Sequence, residues 1–341
     1  MASTRVLADT WYASLFLDVG DQFAKVIREK YPAWLNRVAD RSRIVRGLLL
    51  FWIGRHYELI VTSNGQRGSE ALLVLQAWLG SKKPKVIVLE FIRQERSSYP
   101  LFIRIFYDLY FTFIRKPAVQ RAMKAGQVLT AWERVYYAEV YGISIERFRL
   151  IPWYRKLEGD NLPSLHSKSP CMVLASGRAA CDWETLFKAA ENRGWELTVI
   201  CGKRQLRHVR KLSRHGNARV LSEITLEEHQ KYVESAALYV LCLKEKNISC
   251  GQIRIMNAIR AGTPIVCTRV KAIEDYVLDG ETSIVVGEGD YLGLRGAVET
   301  LLKDADRRNT LARAAFDSAA DQSREQYLEK VRALVLDNLS H

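Results

Sequence analysis

The chain has 341 residues, enough for two domains with a core each, and its composition of 48% apolar and 26% charged residues argues against disorder. The formal net charge of +13 is unevenly spread: residues 1–156 carry 25 Lys/Arg against 13 Asp/Glu, residues 157–341 carry 26 against 25. A field of this kind draws in acidic matter such as anionic lipid headgroups or an acidic protein; no nucleic-acid-binding module accompanies it, so nucleic acid is not an expected partner.

The six cysteines (171, 181, 201, 242, 250, 267) are scattered, without a Cys-x-x-Cys pair, which fits buried thiols in a reducing, cytoplasmic setting. Peripheral contact with the inner face of a membrane stays open as an expectation. The N-terminus has no signal-peptide pattern and no long uncharged run occurs, so no membrane span is expected. The histidines at 56, 166, 208, 215, 229 and 341 have no ligand spacing, and neither a metal site nor a nucleophile elbow is expected.

In chain order, short apolar runs predict strands at 5–9, 59–63 and 85–90. Asn64, Gly65, Gln66, Arg67, Gly68 and Ser69 follow the second as a loop before a helix. Residues 99–124 form an aromatic segment edged by Arg104, Arg115, Lys116, Arg121 and Lys124. It reads either as a helix in a lipid interface or, the preferred reading, as a core helix with snorkelling ends. Further strands are expected at 128–132 and 148–152, and a Gly- and Pro-containing lapse marks a linker.

The second half alternates more cleanly. Strands are expected at 171–176, 197–201, 218–221, 238–243, 265–268 and 283–286, with helices from Asp182, Arg204, Leu226, Gly251, near Ile273, and from Asp290 and Asp304; a last helix spans about 323–338. Strict alternation implies right-handed crossovers and a parallel sheet covered on both faces. The domains expected are 1–153, a basic acceptor-binding domain; 154–169, a linker; 170–320, a donor-binding domain; and 321–341, a helix with the option of crossing back to the first domain. Ligands of two such doubly wound, Rossmann-like domains are expected in the cleft between their strand ends.

The segment from Asn247 to Cys267 reads as polar loop, helix and buried strand. Ser249 is the expected N-cap, Gly251 allows close backbone approach, and the amides of Cys250, Gly251 and Gln252 would point out of the first turn towards an anion. Ser176-Gly177-Arg178 and Gly202-Lys203-Arg204 place basic residues after two other strands. Together these groups could hold a diphosphate and stabilise the charge it gains on leaving. Asp304-Ala305-Asp306 has a metal-binding spacing, but aspartate as a helix N-cap explains it.

As a set, Ser176-Gly177-Arg178, Ile200-Cys201-Gly202, Asn257-Ala258-Ile259-Arg260-Ala261-Gly262-Thr263-Pro264-Ile265-Val266 and Glu274-Asp275-Tyr276-Val277-Leu278-Asp279-Gly280 resemble the donor half of retaining family-four glycosyltransferases of the GT-B fold, over about residues 170–318. The resemblance implies a metal-independent, retaining enzyme that moves a hexose or N-acetylhexosamine from a nucleotide diphosphate sugar, UDP-sugar favoured, with no cofactor. The acceptor would be lipid-linked at an anionic membrane, held on an acidic carrier protein, or a small molecule.

It further implies that Gly177, Arg178, Lys203, Arg204 and the amides of Cys250 to Gln252 meet the diphosphate, Asn257 the ribose and Ser249 a phosphate or the sugar. Arg178 and Lys203 would assist catalysis, with Glu90 a candidate contact to sugar or acceptor proton; a carboxylate at a strand end is as often structural. Asn64, Gly65, Gln66, Arg67 and Arg93 would face donor or acceptor. Ser249 and Asn257 stand where the family has two glutamates, and the basic residue expected shortly after Gly-Arg is replaced by Cys181 and Asp182. That departure supports an alternative, a catalytically silent relative that binds nucleotide or supports a partner enzyme.

Overall fold

A computed structural model of the chain describes residues 5–339 apart from 65, 81–84, 94–99, 155–167 and 216–217. It divides into two compact units, one of Met1–Pro152 with Tyr327–His341, the other Trp153–Gln326. Most of the linker expected at 154–169 lies outside the described residues, as does Gly65.

The first unit holds a parallel sheet of β1 (Val6–Asp9), β2 (Gly20–Gln22), β3 (Leu59–Ser63), β4 (Val86–Leu89), β5 (Met123–Val128) and β6 (Phe148–Leu150), in the order β2-β1-β3-β4-β5-β6. β1, β3 and β4 are buried along their whole length, because helices on both faces leave no side for polar alternation. β2 escaped the sequence reading because it is short and polar. It pairs with β1 along its length, and the close approach at Val6 requires glycine at position 20, where a Cβ would stand 1.9 Å from the Val6 carbonyl oxygen.

Two expectations for this unit are corrected. The strand placed at 128–132 ends at Val128, because Thr130 and Glu133 form a reciprocal capping box that starts the helix Ala131–Tyr141. The aromatic segment is a helix, Leu101–Tyr110, running through a π turn, Phe111–Arg115, into Lys116–Ala122, where β5 takes over. Its first part is not a core helix, since Leu101–Tyr110 buries no residue.

The second unit holds β7 (Met172–Gly177), β8 (Glu196–Cys201), β9 (Arg219–Ser222), β10 (Leu238–Leu241), β11 (Ile265–Thr268) and β12 (Ile284–Val286), all parallel, in the order β12-β11-β10-β7-β8-β9. Successive side chains feed two cores. Leu174, Tyr239, Leu241 and Cys267 pack with Ile255 and Ile259 on one face, while Val173, Val199, Val240 and Val266 pack with Leu186, Leu294 and Val298 on the other. The helix expected from Arg204 begins at Leu206, after a turn. Strand order reverses between β7 and β10, which makes their carboxyl ends the topological switch point of this sheet. Among the described residues no helix is long and apolar enough to cross a membrane.

Candidate functional site

At the switch point, β7 runs into Ser176, Gly177 and an exposed Arg178. The Arg178 stem passes over Gly202 at the end of β8, where an added Cβ would sit 3.3 Å from its Cγ. Lys203 and Arg204 are exposed in the following turn, and the Lys203 amide donates to Glu223 Oε1 at 3.3 Å.

The third element departs from expectation. The helix is Gln252–Arg260, and its N-cap is Gly251 at φ 102°, not Ser249. A side chain at Gly251 would be strained by that dihedral and would meet Ile273 at 2.8 Å, so the tight turn needs glycine. Ser249 Oγ instead accepts from Gln252 Nε2 at 2.8 Å, and that amide group also donates to the Ala272 carbonyl at 2.7 Å. The Gln252 side chain thus braces the loop from inside. No side chain caps the helix, so its first-turn amides, those of Gln252, Ile253 and Arg254, carry the positive end of the dipole; the expected set was Cys250 to Gln252. Asn257 lies further along the same helix, partly exposed.

Arg254, in the first turn, was missed by sequence reasoning. Its Nη1 donates to the Ser176 carbonyl at 2.6 Å and lies 3.5 Å from Cys181 Sγ. Gly177 makes this possible, since a Cβ there would approach Nη1 to 2.3 Å. A guanidinium therefore stands beside Gly177-Arg178 in the region where Cys181 and Asp182 had left no basic side chain. The available signal was its position, two residues after the first helical residue, on a turn that must face β7. Lys244, after β10, is committed elsewhere, bridging Glu184 at 3.1 Å and Asp182 at 3.5 Å.

Below the arginines, Ser176 Oγ lies 2.8 Å from His229 Nε2 and 2.5 Å from the Tyr239 hydroxyl. Burial, then the charges of Arg254 and Arg178, hold the His229 pKa below its ordinary 6.5. The site thus gathers Arg178, Arg254, a neutral imidazole and a helix N-terminus at one end of the sheet, an arrangement suited to an anion.

In the first unit, Glu90 ends β4 at φ 51°, a left-handed backbone unusual for a side-chain-bearing residue. Its Oε1 accepts from the Tyr12 hydroxyl at 2.7 Å and Trp11 Nε1 at 3.1 Å. Its amide donates to Gln127 Oε1 at 3.1 Å, and Gln127 Nε2 in turn reaches the Tyr327 hydroxyl at 3.0 Å. These bonds hold the carboxylate at the strand end. Arg93, shortly after β4, does not project freely: Nη1 donates to the Tyr136 hydroxyl at 2.7 Å and the guanidinium lies 4.8 Å from the Phe111 ring centre.

The 64–69 loop borders a cavity of about 360 Å³ lined by Asn64, Gln66, Arg67, Arg43, Tyr107 and Tyr110, among others. The loop is tied to β1, because Gln66 Nε2 donates to Asp9 Oδ1 at 3.4 Å and Asp9 is held by Arg46 at 2.6 and 3.0 Å. Among the described residues no group of three potential metal ligands occurs. Asp304, from the Asp-x-Asp pair, caps the helix Ala305–Ser318 by accepting from the Arg307 amide at 2.8 Å.

The chain is similar to a known family, a curated protein and solved structures. Residues 182–304 match the family model for glycosyl transferases group 1. A curated D-inositol 3-phosphate glycosyltransferase of Corynebacterium diphtheriae is 33% identical over 98 residues, a stretch that spans 29% of this chain and 23% of that protein. Among solved structures, sucrose-phosphate synthase (tll1590) from Thermosynechococcus elongatus aligns with a TM-score of 0.67 at 16% identity, covering 86% of this chain and 77% of that one. Anabaena Alr3699/HepE in complex with UDP aligns with a TM-score of 0.65 at 12% identity, covering 98% and 100%. The chain therefore has the GT-B fold of glycosyltransferases. Residues 182–304, which match the glycosyl transferases group 1 family model, lie within the second unit.

Proposed function

We propose that the chain is a glycosyltransferase that transfers a hexose or N-acetylhexosamine from a UDP-sugar, with retention and without a metal ion, to a lipid-linked, carrier-bound or small-molecule acceptor. The observation that carries this reading is the convergence of Arg178, Arg254 and the uncapped N-terminus of Gln252–Arg260 at the switch point. A diphosphate there would be met by two guanidinium groups and first-turn amides, with Lys203 and Arg204 at the margin. The family match and the UDP held by Alr3699/HepE agree with that ligand class.

In the reaction, the bond from the anomeric carbon to the diphosphate breaks as the bond to the acceptor oxygen forms on the same face. The departing phosphate oxygen takes the acceptor proton. The arginines and helix terminus supply the positive charge for the leaving group, a preorganised electrostatic contribution. The test is incubation with UDP-glucose, UDP-galactose and UDP-N-acetylglucosamine, with and without acceptors of the three classes. UDP release or transfer with any of them supports the proposal.

A second reading has its own observation. Ser249 and Asn257 are neutral where the family has glutamates, and Ser249 is engaged by Gln252. Tight UDP binding with no turnover across that panel would make the chain a nucleotide-binding partner protein instead.

The imidazole gives a pH signature. A folded-state pKa below 6.5 means that His229 contributes its stability above pH 6.5 and loses it as the pH falls through the folded value. A diphosphate bound between Arg178 and Arg254 offsets the charges that depress this pKa, so binding is coupled to proton uptake. UDP-glucose affinity is expected to rise as the pH is lowered from about 7.5 towards about 5.5, a range in which its diphosphate does not titrate, and to lose this slope in His229→Gln, as read by calorimetry. An unchanged slope in the variant removes His229 from the site.

A further inference from the structure

We infer that the helix Leu101–Tyr110 and the π turn after it form a docking surface for an anionic lipid bilayer. Phe102, Ile105, Phe106, Leu109 and Phe113 recur at helical spacing and are 49–71% exposed. A stripe of this kind on a helix not long and apolar enough to cross a bilayer suits burial in the plane of the interface.

The stripe is held outward. Tyr110 and Arg115 both bind the Glu70 carboxylate, Arg115 Nε also donates to the Tyr141 hydroxyl at 2.9 Å, and Arg93 packs on Phe111 at 4.8 Å. These contacts anchor the C-terminal end of the helix and the π turn, so the apolar stripe cannot turn in without breaking them.

Charge selects the occupant. Exposed Arg104 lies on the helix, and exposed Arg43 and Arg67 line the cavity that Tyr107 and Tyr110 close; Asp108 is the exposed acid on the same helix. The first 156 residues carry 25 basic against 13 acidic side chains, so two copies joined through this half would repel, whereas an anionic membrane complements it. Docking sets the 360 Å³ cavity beside the headgroups. That the cavity receives the polar end of a lipid-borne acceptor rests on the glycosyltransferase reading; the docking itself does not.

The experiment is flotation of the full chain with vesicles of phosphatidylcholine alone and of equimolar phosphatidylcholine and phosphatidylglycerol, at low and high salt. Binding to the anionic vesicles, weakened by salt, is expected. Phe102→Ser/Phe106→Ser/Phe113→Ser should lower the partition coefficient at least about tenfold. Trp52→Ser, at another exposed aromatic of the same unit, should leave it unchanged. Thermal melting and UDP titration of the triple variant report its folding.

Absence of wild-type binding, or equal binding by the triple variant, overturns the inference. So does a concentration-dependent dimer that the triple variant abolishes, which would place a second copy on the stripe. Vesicle binding without UDP binding would sustain docking and remove the glycosyltransferase reading; UDP turnover without vesicle binding would do the reverse.

Discussion

Arg178→Ala and Arg254→Met are each expected to weaken UDP binding by about 2–3 kcal/mol, roughly 30- to 150-fold in Kd, while leaving the weak binding of uridine unchanged. Arg178 leaves the end of β7 over Gly202, and Arg254 reaches the Ser176 carbonyl across Gly177, so two guanidinium groups border one anion position. Methionine at 254 keeps most of the stem that packs near Cys181, which separates loss of charge from loss of filling. The measurement is calorimetric titration with UDP, UMP and uridine. If UDP binds both variants as tightly as wild type, the diphosphate does not lie at this switch point, and the proposed function loses its carrying observation.

The second large effect concerns stability. Arg46 and Asp9 form a bidentate pair at 2.6 and 3.0 Å, with side chains 10% and 3% exposed. Arg46→Met would leave the Asp9 carboxylate without its ion-pair partner at the buried end of β1, and is expected to destabilise the first unit by about 3–5 kcal/mol and to lower its melting temperature by roughly 10 °C. Asp9→Leu combined with Arg46→Met should recover most of the loss, because the desolvation cost of both charges goes with them. Chemical denaturation of the single and double variants decides it; equal stability of Arg46→Met and wild type would show the pair to be dispensable. The consequence for function is local, since Asp9 also accepts from Gln66 in the loop bordering the cavity.

The elements of the second unit were legible because their signals are short-range. Apolar runs broken by Gly-Arg or Gly-Lys mark strand ends, and Gly262-Thr263-Pro264 marks the passage from helix to β11. The N-cap was misplaced for a physical reason. Ser249 has a capping side chain, but a glycine at positive φ starts the helix two residues later and frees the serine to brace Gln252. The strand misplaced at 128–132 had a contrary signal available, the Thr130 to Glu133 spacing of a capping box.

What the sequence determined by itself is the doubly wound class, the basic first half and the order of elements that brings Gly177-Arg178 and the Gly251 turn to the carboxyl end of one sheet, since strand alternation and crossover handedness leave few other topologies. What only tertiary structure decided is which side of each amphipathic helix meets the protein. Periodicity defines a face without naming its partner, so Arg254 turning onto Gly177 and the aromatic stripe turning to solvent both depend on how neighbouring elements pack.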